Sequence, residues 1–171
     1  VVSDGVHPFV NEDMGLAAIF PRGSLVCLGR SGDAARGFYS WQEGRVEGCP
    51  ERGDLPVTYM GIGTSFNAND HRTVREAVGD CEPLSPEITR RLAGQALAFP
   101  AHRSIACQEA REDGMIEIFV HALAGARHDD EPPQIPHIAY FATLGTRPDR
   151  LDRDLAMFRT FLRRIRIGIP S

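Results

Sequence analysis

Four cysteines constrain this chain more than any other feature of its sequence. They are Cys27, Cys49, Cys81 and Cys107, an even set without a Cys-x-x-Cys or Cys-x-x-His spacing. That spacing argues against a zinc knuckle and a thioredoxin-like redox pair, and for two disulfides in an exported protein. The competing reading is four reduced core cysteines in a cytosolic protein. Two of the cysteines are approached in nearly the same way. Residues 20–27 read FPRGSLVC and residues 99–107 read FPAHRSIAC. In a strand, Leu25 and Cys27 share one face, as do Ile105 and Cys107, so each sulfur points where an apolar side chain points. The matched settings predict a Cys27–Cys107 bridge between neighbouring strands. Cys49–Cys81 is then left to tie down residues 42–56. Each bridge would stabilise by roughly 3–5 kcal/mol in the chain-entropy account. There is no third copy, so the doubling is not a solenoid repeat.

A chain of 171 residues fits one domain with a sizeable core. The net charge of −4 gives no electrostatic footprint for nucleic acid. Every cation is Arg, with no Lys. An arginine-rich recognition surface is one reading. The scatter of arginines from Arg22 to Arg166, with abundant Ala, Gly and Pro, favours the codon bias of a GC-rich genome. No apolar run approaches the roughly 18 residues that span a membrane. The opening at Val1, without an initiator Met, fits a removed leader or a trimmed sequence.

Along the chain, residues 14–29 read as two short strands around a Pro21-Arg22-Gly23 break, and residues 37–42 as a third strand. Residues 42–56 form a Gly/Pro-rich loop carrying Cys49. Residues 57–68 make a long strand in which Gly61 and Gly63 weaken the pairing or mark a bulge. A short helix follows, with Asp70 as the N-cap candidate. Ser85 and Pro86 start a second helix. Residues 103–125 read as a hairpin turned by Asp113-Gly114. In its second arm Ile116, Ile118 and Val120 face one way and Glu117, Phe119 and His121 the other. Residues 126–136 form an acidic, proline-rich loop. A last strand leads into a helix with the apolar stripe Leu151, Leu155, Phe158, Leu162 and Ile165. The order β-β-β-β-α-α-β-β-β-α predicts an α+β fold, an antiparallel β-sheet with segregated helices including a C-terminal helix.

The stretches NEDMGLAAIFPRGS and AYFATLGTRPDRLDRDLAMFRTFLRRIRI together resemble the Mog1/PsbP-like family of small α+β domains. Such domains often open with a Gly-φ-x-φ-x-φ-Pro strand and close with a strand, a Pro/Asp turn and a C-terminal helix. The resemblance covers about a third of the chain and brings no catalytic motif. It implies a scaffold used mainly for binding, as in envelope accessories, photosystem subunits and secretion chaperones or adaptors.

Candidate chemistry is sparse. Ser65 lies in a GIGTSFN stretch without the second glycine of a nucleophile elbow. Cys107 and His121 lie on adjacent hairpin strands, where a disulfide beside an ordinary histidine is the simpler reading. Residues 67–71 (NANDH), residues 127–130 (RHDD) and the pair Glu117 and His121 carry potential metal ligands. None has the spacing of a known metal site, and the first reads as an Asx turn with a helix cap. No metal or cofactor is expected. Two binding surfaces stand out. Phe38, Tyr39 and Trp41 form a candidate aromatic recognition edge, against the plainer reading that they alternate into the core. His128, Asp129, Asp130 and Glu131 form an acidic loop suited to a basic partner.

The sequence therefore predicts an exported or periplasmic, non-catalytic protein-binding module. Its sharpest form is an immunity or inhibitor protein against a secreted toxin or wall-degrading enzyme. The alternatives are a hydrolase assembled from scattered residues and an envelope accessory for a lipid or small ligand. A deep pocket with converging polar groups would favour the first alternative, and an apolar tunnel the second.

Overall fold

Period-two alternation and one amphipathic helix build two layers. The computed structural model describes residues 9–29, 34–41, 49, 58–125 and 135–169. Its strands are β1 (Phe9–Asn11), β2 (Leu16–Ala18), β3 (Leu25–Leu28), β4 (Phe38–Trp41), β5 (Tyr59–Phe66), β6 (Ile105–Ala110), β7 (Ile116–Ala124) and β8 (Ile138–Thr146). The α-helices are α1 (Val74–Val78), α2 (Pro86–Leu92) and α3 (Leu151–Arg163). Strands β3 to β8 form an antiparallel sheet in the order β3-β4-β5-β8-β7-β6, and β1 pairs with β2 in a separate hairpin. The α+β class holds, and β1 is the strand that the sequence does not announce.

One face of the sheet packs under α3. Val26, Phe38, Met60, Ile62, Ile118, Val120, Ala142 and Leu144 supply it, and the whole predicted stripe from Leu151 to Ile165 is buried against it. Buried Asp154 fastens the helix. Thr58 and Thr146 donate their hydroxyls to Oδ2 at 2.7 and 2.6 Å, and Arg153 donates Nε and Nη2 to Oδ1. The β1–β2 hairpin joins this layer through Leu16, Ala18 and Phe20, with Phe20 stacked on Phe161 at 4.8 Å. Tyr140 donates to the Met14 carbonyl at 2.6 Å and accepts from the Gly168 amide at 3.2 Å, joining both ends of the chain to the central strand.

The cysteines pair differently from the expectation. The bridges are Cys27–Cys49 and Cys81–Cys107, each with Cα atoms 5.8 Å apart. β3 and β6 are the opposite edges of the sheet. Five strand spacings separate them by about 24 Å, beyond the roughly 7 Å a disulfide spans. The doubled sequence marks the two edge strands. In each copy the Phe, Phe20 or Phe99, is buried as an anchor. A turn follows, and Ser24 or Ser104 hydrogen-bonds back into it. Each edge cysteine then binds a flanking segment instead of its twin.

Helix starts follow local chemistry. Ser85 caps α2, accepting from the Ile88 amide, with Pro86 at the first position. The cap of α1 is Thr73, which accepts from the Glu76 amide at 3.2 Å. Asp70 is not the cap. It sits three residues earlier at φ 54°, in a turn where its amide donates to the Asn67 carbonyl at 3.1 Å.

Candidate functional site

The face of the sheet turned away from α3 is where the unusual residues gather. Its residues form cross-strand rows fixed by register. One row reads Cys27, Tyr39, Gly61, Thr143, Phe119, Cys107. It crosses all six strands and begins and ends on a disulfide. The row on one side reads Leu25, Trp41, Tyr59, Gly145, Glu117, Glu109, and the row on the other contains Gly63, Phe141, His121 and Ile105. At one edge Cys49 is bonded to the face through Cys27. At the other, residues 81–83 run beside β6, with a Pro83–Cys107 bridge and the Gln108 amide donating to the Glu82 carbonyl at 2.9 Å.

Glycines give this face its relief. A Cβ on Gly61 would run into the Tyr39 ring, one on Gly63 into Phe141, and one on Gly145 into Tyr59. The three rings therefore lie across neighbouring strands instead of standing upright, and cover backbone that would otherwise be wet. Tyr59 is fixed there by donating its hydroxyl to Glu117, which also accepts from Arg111. Leu25, Cys27, Trp41, Tyr59 and Met115 form a second small apolar cluster, with Tyr39 half-buried against it. Toward β7, His121 lies between Phe119 and Phe141, stacked on the first and tilted to the second, with ring centroids 6.2 and 6.5 Å away. Burial holds the His121 imidazole below its ordinary pKa of 6.5, because desolvation disfavours the cation. Phe119, His121 and Phe141 keep part of their surface in solvent.

The proposed aromatic edge divides between the two faces. Phe38 is 3% exposed and belongs to the core under α3, so it presents nothing to a partner. Trp41 is 6% exposed on the opposite face, where its Nε1 has no hydrogen-bond partner among the described residues. Tyr39 is the member of the trio that remains half open. His128, Asp129, Asp130 and Glu131 lie outside the described residues. Sequence reading placed Phe119 on the outward face of β7 without naming it as a binding residue, and it did not single out Phe141. The outward alternation of β7 was the signal for Phe119, whereas Phe141 had none in its own window, because the Gly63 it covers lies on a strand distant in the chain.

The catalytic candidates take structural roles. Ser65 is paired with Ala139 within β5, not placed on a strand-to-helix turn. Cys107 is a disulfide sulfur. Asn67 builds its own turn: Nδ2 donates to the His71 and Pro136 carbonyls at 2.8 and 2.7 Å, and Oδ1 accepts from the His71 amide at 3.1 Å. Among the described residues no cluster of three or more His, Cys, Asp or Glu is placed to hold a metal. Among the same residues no helix is long and apolar enough to cross a membrane.

A groove of about 280 Å³ lies on the other side of the molecule, between α3 and the β2–β3 connection. Its walls are mainly apolar, and it is a shallow trough rather than a cleft with converging polar groups. The two disulfides point to an oxidising, exported environment. The chain matches no model of a protein family, and no curated protein matches it in sequence.

Proposed function

We propose that this chain is a non-catalytic protein-binding module of the bacterial periplasm or envelope, built on a Mog1/PsbP-like scaffold. It meets its partner with the aromatic face of the sheet. The sharper form of the reading is an immunity or inhibitor protein whose partner is a secreted toxin or wall-degrading enzyme. One observation carries it: the row from Cys27 to Cys107 makes an aromatic, glycine-flattened surface braced by a covalent tie at each edge. A surface held this way loses little conformational entropy on binding. Aromatic side chains are enriched at protein interfaces, and Tyr and Trp among their hot spots.

The test is affinity capture from the native organism's envelope fraction, with oxidised wild-type protein and Phe119→Arg as parallel baits. The reading expects one partner that reconstitutes with purified wild type at equal stoichiometry and is lost with Phe119→Arg at unchanged melting temperature. Equal capture by both baits, or no reconstituting partner, would refute it. Shortening residues 126–136 without loss of affinity would remove that loop from the interface.

A further inference from the structure

Arg164 ends α3: its backbone amide donates to the Phe161 carbonyl at 2.9 Å, while among the described residues its guanidinium makes no hydrogen bond or ion pair. Other arginine side chains reach the neighbouring carbonyls. Arg163 Nε donates to the Arg159 carbonyl at 3.3 Å, and Arg166 Nη1 donates to the carbonyls of Arg163 and Ile165 at 3.0 Å each. The Arg164 side chain is exposed and forms one wall of the groove between α3 and the β2–β3 connection. Pro21, Met157 and Phe161 supply apolar surface beside it. That surface is rigid: Phe161 is buried and stacked on Phe20, and Pro21 is locked in a turn by Ser24. Arg22, the residue after Pro21, is exposed.

The charged residue in the groove's lining is a cation. Among the described residues neither Arg22 nor Arg164 lies in an ion pair. The acids of α3 lie toward its other end, where Asp152 meets Arg91 and Asp154 meets Arg153. An acidic protein, at −4 overall, thus carries an apolar trough whose charged lining residue is Arg164, in no ion pair among the described residues, with exposed Arg22 next in the chain to the lining Pro21.

We propose that the groove docks an acidic peptide segment of a partner protein. One apolar side chain seats against Pro21, Met157 and Phe161, and flanking carboxylates meet Arg164 and Arg22. The trough is shallow and open to solvent, so it seats a side chain at the surface rather than enclosing a ligand. Complementary charge supplies register and partner choice. The groove is on the α3 side of the sheet, so the proposal does not depend on the aromatic face.

The probe is a fluorescein-labelled peptide, acetyl-EELFEE-amide, titrated into the oxidised protein and followed by polarisation, with acetyl-KKLFKK-amide as control. The proposal expects saturable binding of the acidic peptide only, weakened by salt, with amide shifts on Met157, Thr160, Phe161 and Arg164 in NMR spectra. Arg164→Gln and Arg22→Gln, both exposed and expected to fold normally, should each weaken it by about tenfold or less, and together by more. Equal binding of both peptides, unchanged binding in the double variant, or shifts on the aromatic face instead would overturn it. So would saturable binding of laurate with none of the acidic peptide.

Discussion

At the scale of single residues, the strongest commitments are polar groups placed inside. Asp154 is fully buried and accepts four donated hydrogen bonds from Thr58, Thr146 and Arg153. Asp154→Ala removes every acceptor at once and leaves two threonine hydroxyls and a guanidinium to find others. Chemical denaturation should show a loss of about 2–3 kcal/mol, discounted because Arg153 is partly exposed. An unchanged midpoint would mean that the helix does not rely on this carboxylate. His121 gives a pH signature. Burial lowers its folded pKa below the ordinary 6.5, so the unfolded chain takes up the proton first as pH falls. Its contribution is complete above about pH 6.5 and is lost as pH drops through the folded value. Between about pH 7.5 and pH 5, wild type should therefore lose more stability than His121→Gln, as read from paired urea titrations. Parallel losses would contradict the buried, neutral imidazole.

At the scale of elements, local signals were read well where they were periodic. The α3 stripe is buried from Leu151 to Ile165, and β7 alternates as its sequence does, with Ile118 and Val120 inward. Asp113-Gly114 turns the hairpin, with Gly114 at φ 81° and the Arg111 amide donating to the Met115 carbonyl. Short elements were less legible. β1 has three residues and exists because it pairs with β2, a partner that no local pattern names. The cap of α1 illustrates competition between neighbours. Asp70 and Thr73 are both good capping residues, but Asn67 draws the chain into a turn that ends before Thr73. Thr73→Ala should cost about 1 kcal/mol and Asp70→Ala much less, measured by thermal unfolding. The reverse order would return the cap to Asp70. The β5 glycines are a subtler case. Read as weakness or a bulge, Gly61 and Gly63 sit in an unbroken register with β8 and receive the rings of Tyr39 and Phe141. A glycine's partner across the sheet is not visible in its own sequence window.

At the scale of the whole molecule, strand order decides what the sequence could not. Two matching cysteine settings suggested two neighbouring strands. The fold instead uses the same setting for the two edges of one sheet, because β4, β5, β8 and β7 are inserted between them. That insertion depends on the pairing of β5 with β8, more than seventy residues apart in the chain, which local propensity does not encode. The two faces then differ in kind. One is sealed by α3 and the β1–β2 hairpin. The other is covered in part by its own flattened rings and tied at both edges by disulfides. This second face is the binding surface we propose, and the proposal rests on its two disulfide braces. Proteolysis of the unreduced, alkylated protein followed by mass spectrometry tests it most directly. Linked peptides joining Cys27 to Cys49 and Cys81 to Cys107 are predicted. A Cys27–Cys107 peptide would contradict it, since that bond requires β3 and β6 to be neighbours.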